Sequence, residues 1–183
     1  MKLKTIAICC VIFMGLFAVP VQAAHVAAED CGGNVAFVDE KIPHYTVDGQ
    51  LMATEMQDYI YRTCADMGIE FYYPYFLCQI YQESEFDPRA VSKDGIDYGY
   101  CQLRIYYHDD FKNQVGHPEW DLINDPFANV YVGCYLMRRN LEACGYDISG
   151  ALAMYFNSGS DYWNSVYIHD VTKWVPTLER IEE

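Results

Sequence analysis

The sequence predicts one mainly α-helical domain. Three segments carry apolar residues at the three-and-four spacing of an amphipathic helix, and each is bounded by residues typical of helix ends. The chain has 183 residues, and about 160 remain after a predicted leader, which is enough for one buried core. Internal repeats and low-complexity segments are absent from the sequence. These observations favour a single helical domain over a multidomain chain.

The first predicted helix runs from about Glu55 to Met67, just before Gly68. It follows the Ser/Thr-x-x-Glu/Gln pattern of a capping box, which begins at Thr54 and ends at Gln57. Four of its residues recur at helical spacing: Met56, Ile60, Cys64 and Met67.

The second predicted helix begins near Pro74, which suits a first turn, and cannot continue past Pro88. Glu83 therefore lies near its C-terminus. The helix dipole disfavours negative charge at that end. A carboxyl group placed there tends to keep its proton, provided that the site is also shielded from water.

The third predicted helix starts at Asp125-Pro126 and ends at Gly145. Its apolar stripe is the clearest in the protein and consists of Phe127, Val130, Cys134, Met137 and Leu141. Residues 94–121, before this helix, are rich in Gly, Asp and Tyr and are predicted to form loops with a short hairpin.

Two shorter helices are predicted after the third one. Ser149 is expected to cap a helix that contains residues 151–156, and a last helix is expected within residues 170–181, where Pro176 limits its length. The resulting fold class is mainly α (α+β), with helices and a small loop or hairpin region flanking a cleft.

The N-terminal residues predict export. Lys2 and Lys4 precede an apolar run and a small-residue site ending at Ala23, as in a secretory signal peptide. The predicted organisation is a signal peptide at residues 1–23, a loosely packed N-terminal arm at 24–48 and the helical domain at 49–183. No membrane association is expected after cleavage.

The charge excludes several classes of partner. The formal net charge is −14, and it becomes −16 when residues 1–23 and their two lysines are removed. Such a surface repels nucleic acid and anionic lipid, so neither is an expected partner.

Six of the eight cysteines follow the predicted cleavage site. An even number in an exported chain predicts that at least two of them are paired, although 15 pairings of six are open and buried free thiols are the alternative. The six are Cys31, Cys64, Cys78, Cys101, Cys134 and Cys144.

The five histidines are scattered without the spacing of a metal site, so no metal and no cofactor are expected. A cysteine peptidase that uses Cys78 or Cys101 with His108 is a weak rival. Neither cysteine lies in a recognisable nucleophile context.

Three short segments carry the chemical signal of the chain. The first is Glu83-Ser84-Glu85-Phe86-Asp87-Pro88-Arg89-Ala90-Val91-Ser92, and the second is Gly95-Ile96-Asp97-Tyr98-Gly99-Tyr100-Cys101-Gln102-Leu103. The third is Ala151-Leu152-Ala153-Met154-Tyr155-Phe156-Asn157-Ser158-Gly159. Each is weak alone, and the three in this order are informative.

Together they resemble the catalytic domain of the lytic transglycosylases of glycoside hydrolase family 23, relatives of the goose-type lysozymes. That family has a helix ending in Glu-Ser, then Phe-x-Pro-x-Ala-x-Ser, then Gly-Leu-Met-Gln-Ile, and later Ala-Tyr-Asn-Ala-Gly. The resemblance extends over roughly residues 49–183 and implies a lysozyme-like fold around a glycan cleft.

The resemblance implies a role for several residues. Glu83 corresponds to the catalytic acid, Ser92 to a residue that holds a substrate group, Gln102 to a residue lining the cleft and Asn157 to a supporting residue. Tyr98, Tyr100 and Tyr155 lie inside the segments and are candidates for stacking on sugars.

The sequence departs from the family pattern next to the asparagine. Phe156 stands where the family has a tyrosine, whose hydroxyl is expected to contact the catalytic carboxyl. Tyr155 is the nearest hydroxyl in sequence and is expected to take over this contact. Tyr100-Cys101 also replaces the family's Leu-Met pair.

The implied activity is cleavage of the β-1,4 bond between N-acetylmuramic acid and N-acetylglucosamine in peptidoglycan, outside the cytoplasm. Glu83 would donate a proton to the leaving oxygen and then accept one from the C6 hydroxyl of the muramic acid, which leaves a 1,6-anhydro sugar. Most glycosidases use two carboxyl groups, and this sequence convincingly offers one.

Two alternatives stay open. A hydrolytic muramidase of the goose type would need Asp94 or Asp97 to position a water molecule. A catalytically silent wall-binding or assembly subunit is the other, motivated by Phe156 and by the strong acidity. The sequence also leaves open whether the protein works alone or within a wall-spanning secretion, conjugation or phage-related apparatus.

Overall fold

The computed structural model of the protein describes residues 41–181. The predicted signal peptide, residues 24–40 of the predicted arm and Cys31 lie outside the described residues.

Helices dominate this part of the chain, which confirms the predicted mainly α, lysozyme-like class. They are α1 (Thr54–Asp66), α2 (Tyr73–Ser84), α3 (His108–Val115), α4 (Pro126–Ala143), α5 (Ile148–Phe156) and α6 (Asp161–Thr172). Helix α4 packs against α1 and α5, and α6 packs against α5 and α2. This succession of contacts brings α6, late in the chain, against the helix that carries Glu83.

Five short strands complete the fold: β1 (His44–Val47), β2 (Gln50–Leu51), β3 (Asp97–Tyr98), β4 (Leu103–Arg104) and β5 (Glu179–Ile181). The first sheet has the order β2-β1-β5 and is antiparallel, with His44 opposite Ile181. Strands β3 and β4 form the hairpin predicted within residues 94–121.

The prediction of a loosely packed arm up to residue 48 is wrong for β1. Val47 is fully buried and His44 is nearly so. The segment is too short to show strand periodicity, and its partner β5 lies more than 130 residues away in sequence.

Helix α1 lies where it was predicted, but it lacks the predicted capping box. Its N-cap is Ala53, and no side chain caps it. Gln57 is fully buried instead: its amide group donates to the carbonyl oxygens of Tyr45 and Met52, and its Oε1 accepts from the Tyr73 hydroxyl. A residue that looked like a cap therefore joins β1, α1 and α2.

The other helix ends agree in part with the sequence. Asp125 caps α4 as predicted, through hydrogen bonds from two backbone amides. Helix α5 is capped by Asp147 rather than Ser149. The predicted last helix at residues 170–181 is wrong, because α6 spans Asp161–Thr172 and residues 179–181 form β5.

Helix α3 was not predicted. It is only 8 residues long and contains two adjacent aspartates, so its apolar periodicity is weak. His108 begins it and shares a hydrogen bond of 3.0 Å with the carbonyl oxygen of Leu103, which ties α3 to the hairpin.

The predicted cysteine pairing is not found in residues 41–181, where all five cysteines are free. Four of them are buried among apolar side chains. The thiols of Cys64 and Cys134 lie closest, with 3.9 Å between their sulfur atoms, and act here as packing groups between α1 and α4.

Asn129 of α4 fixes the chain segment between β3 and β4. Its side chain is buried, donates to the carbonyl oxygens of Tyr98 (3.0 Å) and Leu122 (2.9 Å) and accepts from the backbone amide of Cys101 (3.0 Å). Gly99 makes room for it: a Cβ there would lie 2.5 Å from the Asn129 amide nitrogen, and its φ of +75° favours glycine. The hairpin is thereby held against α4.

Gly133, one helical turn after Asn129, receives the Cys101 side chain. A Cβ at Gly133 would lie 2.3 Å from Cys101 Sγ and 3.0 Å from the Phe76 ring. The Tyr100-Cys101 pair therefore packs on a helix surface that has no side chain at this position.

No helix within residues 41–181 is both long enough and apolar enough to cross a membrane.

We predict that Gly133→Ala lowers the free energy of unfolding by about 1–3 kcal/mol, because the new methyl group overlaps Cys101 Sγ. Denaturant unfolding measures the loss. Adding Cys101→Ala to the same protein removes the overlapping sulfur and should recover part of it. Equal stability of Gly133→Ala and the unsubstituted protein would contradict the close approach of the hairpin to α4.

Candidate active site

Glu83 lies in the last turn of α2, one residue before the helix ends. The chain reverses there through two consecutive non-glycine residues in the left-handed region, Glu85 (φ 51°) and Phe86 (φ 65°). Such residues cost free energy and concentrate at functional sites. The sharp turn places Glu83 at the end of the helix, with its carboxyl directed at Tyr167 of α6.

Burial raises the pKa of Glu83 from 4.5 to about 7. The hydrogen bond from Tyr167 lowers this pKa, and the negative charge of Asp97 raises it, but loss of hydration is the largest effect. A carboxyl group with this pKa is about half protonated at pH 7, so it can both donate and accept a proton.

Tyr167 of α6 donates a hydrogen bond from its hydroxyl to Glu83 Oε1. Its side chain is buried, and its pKa is raised well above the usual value, first by burial and then by the charge of Glu83. The hydroxyl therefore stays protonated and can act only as a donor to an ionised Glu83.

Tyr155 does not make this contact. Its hydroxyl donates to the backbone carbonyl of Cys101, so the expectation that Tyr155 contacts Glu83 is corrected in favour of Tyr167. Consecutive helical residues point about 100° apart, and Tyr155 of α5 therefore faces the hairpin rather than α6.

Phe156, the next residue, packs on Tyr167. The two rings are nearly parallel, with 4.7 Å between their centroids and an interplanar angle of 5°. Gln79, one turn before Glu83, lies on another side of the same tyrosine and lowers its pKa, although the buried amide atoms of Gln79 have no hydrogen bond of ordinary geometry.

Ser92 organises the turn before β3. Its hydroxyl donates to Asp94 Oδ1 (2.6 Å) and accepts from the backbone amides of Ile96 (3.3 Å) and Asp97 (3.0 Å). The hydrogen bond from Ser92 lowers the pKa of Asp94. The Ser92 hydroxyl is thus engaged in hydrogen bonds within its own loop.

Gln102 and Tyr100 lie in the hairpin turn. Gln102 has a φ of 45°, and its amide group donates to the carbonyl oxygens of Ala90 (3.1 Å) and Gly99 (3.0 Å). Tyr100 is only 7% exposed, which leaves little of its ring available for stacking on a sugar. Gln102 thus holds the hairpin turn in place, and Tyr100 packs in the apolar core.

Asn157 ends α5 in the left-handed region, with a φ of 43°. It is exposed and follows Phe156 directly. Asparagine tolerates this conformation better than most residues, which gives it a clear backbone role at the turn.

Asp97 is the second carboxylate near Glu83, and it is engaged by Arg104. The guanidinium donates from Nε to Asp97 Oδ1 (2.9 Å) and from Nη2 to Oδ2 (3.2 Å). This two-point pairing across the β3–β4 hairpin offsets part of the carboxylate's charge and fixes its orientation.

The candidate thiol nucleophiles are not activated. Burial raises the pKa of Cys78 to about 12 and also raises that of Cys101. His108 shares its hydrogen bond with Leu103 rather than with a thiol. Because the thiolate is the reactive form, neither cysteine is a nucleophile at neutral pH. Within the described part of the chain, no three His, Cys, Asp or Glu side chains are grouped to hold a metal ion.

The structure thus brings Glu83, Tyr167, Phe156 and Asp97 together, whereas Ser92 and Gln102 shape the loops beside them. Tyr167 was missed because its helix was expected too late in the chain. Ser160, which caps α6, is the sequence signal that could have placed this helix correctly.

The chain was compared with protein families, curated proteins and solved structures. Residues 70–166 match the model of the transglycosylase SLT domain. No curated protein and no solved structure matches the chain. The matched segment covers more than half of the chain and contains Glu83, the β3–β4 hairpin, α4 and α5. The chain therefore belongs to the transglycosylase SLT domain family, whose members are lysozyme-like lytic transglycosylase domains.

Proposed function

We propose that this protein cleaves the β-1,4 bond between N-acetylmuramic acid and N-acetylglucosamine in peptidoglycan strands and leaves 1,6-anhydromuramic acid, with Glu83 as both acid and base. Family membership supports lytic transglycosylase activity on peptidoglycan in general. The observation that carries the finer proposal is the partly buried Glu83 at the end of α2, whose pKa is raised to about 7 by loss of hydration.

In the first step, protonated Glu83 donates its proton to the oxygen that leaves the muramic acid. Positive charge then develops at the anomeric carbon, as in other glycosidases. In the second step, the ionised Glu83 accepts the proton of the C6 hydroxyl as that oxygen attacks the anomeric carbon. The carboxyl group regains its proton, and no water molecule is consumed.

Tyr167 supports the change of charge in Glu83. While Glu83 is ionised, the phenol hydroxyl donates to it and compensates in part for the missing hydration. The buried site keeps the pKa high and the hydrogen bond limits the rise, so both protonation states stay accessible near neutral pH.

Hydrolysis by a goose-type mechanism is the second candidate, because Asp97 lies close enough to raise the pKa of Glu83. That mechanism requires a carboxylate that orients water. Both oxygens of Asp97 are bound to Arg104, and Asp94 is bound to Ser92, which disfavours this use of either residue. Product chemistry distinguishes the two mechanisms.

The substrate lies outside the cytoplasm, and family membership supports action there. We propose that residues 1–23 direct export and are removed, and that a linking segment from residue 24 leads to the catalytic domain. Strand β1 (His44–Val47) belongs to that domain, because it pairs with β5.

We predict that Glu83→Gln abolishes release of fragments ending in 1,6-anhydromuramic acid from purified peptidoglycan. Glutamine has nearly the same size but neither donates nor accepts the required proton, so the loss should be at least about 10²-fold to 10⁴-fold. Mass analysis of the soluble fragments measures it. The matched control is Glu85→Gln, which changes an exposed glutamate two residues away and should keep the activity.

Fragments that carry an added water instead of the anhydro ring would show the hydrolytic mechanism. Full activity of Glu83→Gln would show that another residue is the acid.

We also predict that the stability of Glu83→Gln, measured relative to the unsubstituted protein, is greater at pH 8 than at pH 4. The folded-state pKa of about 7 exceeds the usual 4.5, so the folded protein binds more protons than the unfolded chain between these values. The free energy of unfolding of the unsubstituted protein therefore falls as the pH rises from 4.5 to about 7. The difference in unfolding free energy between variant and unsubstituted protein should grow by something on the order of 3 kcal/mol. A pH-independent difference would contradict the raised pKa.

For Tyr167→Phe we predict a roughly tenfold loss of activity at pH 7, because the carboxyl is no longer held in place, and a rise in the pKa of Glu83. The pH–rate profile and a ¹³C NMR titration measure these effects. Tyr155→Phe is the comparison: it removes the hydrogen bond to the Cys101 carbonyl and should lower the melting temperature without moving the pKa of Glu83. An unchanged pKa in Tyr167→Phe would contradict the assignment of Tyr167.

A further inference from the structure

Phe156 is an apolar residue that the proposed chemistry does not use directly. It ends α5, remains 43% exposed and stacks in parallel on Tyr167, which is only 7% exposed. An aromatic side chain with this much exposure contributes little to a core. The aromatic ring that it contacts is the one whose hydroxyl binds Glu83.

Tyr167 has few polar contacts that could fix its orientation. Its hydroxyl donates to Glu83, and the nearby Gln79 amide forms no hydrogen bond of ordinary geometry with it. One hydrogen bond at the tip of a ring does not define the position of the ring. Packing against the ring faces has to supply the rest, and Phe156 covers one of these faces.

We propose that Phe156 is a positioning residue for the catalytic carboxyl. Its ring stacks on Tyr167, fixes the position of the Tyr167 ring and excludes water from the Tyr167–Glu83 hydrogen bond. The proposal rests on the proposed role of Glu83. Phe156 carries no charge, so it acts on Glu83 only through the placement of Tyr167 and through hydration.

Titratable groups on each neighbouring element interact electrostatically with Glu83. They are the Tyr167 hydroxyl from α6, the Asp97 carboxylate from β3, the Cys101 thiol after β3 and the Tyr155 hydroxyl from α5. Asp97 is paired with Arg104. A substitution at Phe156 leaves all these groups in the chain, so a change in the pKa of Glu83 reports the altered packing and hydration.

The direct test is a ¹³C NMR titration of the Glu83 carboxyl group, assigned with Glu83→Gln. In Phe156→Ala, water reaches the Tyr167–Glu83 pair. Because desolvation affects the pKa of Glu83 more than the Tyr167 hydrogen bond does, we expect this pKa to fall by about one unit from its value of about 7. Phe156→Tyr retains the stack and should keep the original pKa. Phe71→Ala is the matched control, because Phe71 is 78% exposed and contacts Tyr72 instead of the site.

The pH–rate profile of fragment release from peptidoglycan provides the second readout. If the acid must be protonated, a fall of one unit lowers the protonated fraction, and thus the rate, about fivefold at pH 7 but hardly at pH 5. Phe156→Tyr should restore the profile. Circular dichroism establishes that each variant is folded, and Phe156→Leu, which keeps an apolar side chain without the stack, takes the place of Phe156→Ala if the latter unfolds.

A pKa of Glu83 that is unchanged or raised in the folded variant overturns the proposal. A loss of rate that is equal at all pH values also overturns it, because that result indicates a direct contact with the glycan. If the pKa shifts as expected while the unsubstituted protein releases no fragments, the positioning of Glu83 is supported and the proposed function fails.

Discussion

The site depends on the buried amide of Asn129. Two of its three hydrogen bonds hold the β3–β4 segment on α4, and the third binds the carbonyl oxygen of Leu122. Leaving such groups unpaired in the interior would cost roughly 1–3 kcal/mol each. Asn129 also binds the backbone amide of Cys101, and the carbonyl oxygen of Cys101 accepts a hydrogen bond from the Tyr155 hydroxyl of α5. Because α5 is fixed in this way, Phe156 at its end meets α6. The position of the Tyr167 ring thus follows from a polar group buried in a different helix.

Two opposing effects set the proton affinity of Glu83. Burial removes hydration from the charged form, and the Tyr167 hydroxyl returns one hydrogen bond to it. Burial is the larger effect, so the pKa lies near 7 rather than at 4.5. A desolvated site without the tyrosine would favour protonated Glu83 and leave little of the ionised form for the second step. A hydrated site would favour only the ionised form. The combination suits a group that has to perform both steps in turn.

The three sequence segments that carried the resemblance are also the places where the backbone is constrained. Four of the six non-glycine residues with positive φ in residues 41–181 lie in them: Glu85, Phe86, Gln102 and Asn157. Each ends a helix or turns a hairpin next to Glu83. Gln102, and similarly Ser92, use their polar groups to stabilise these turns. Motifs of this kind therefore specify the shape of the loops around the site as much as its chemistry.

The sequence by itself determined the helical class, the boundaries of α1, α2 and α4, the hairpin and the place of Glu83 at a helix end, because these follow from local periodicity and from residues that start or stop a helix. Only the tertiary structure decided which hydroxyl meets Glu83, since Tyr155 and Tyr167 lie on different helices and the contact joins residues 84 positions apart. The same holds for Gln57, which looked like a cap but is buried, and for β1, whose partner is the last strand. Long-range packing fixes these contacts, and local sequence patterns do not encode that packing.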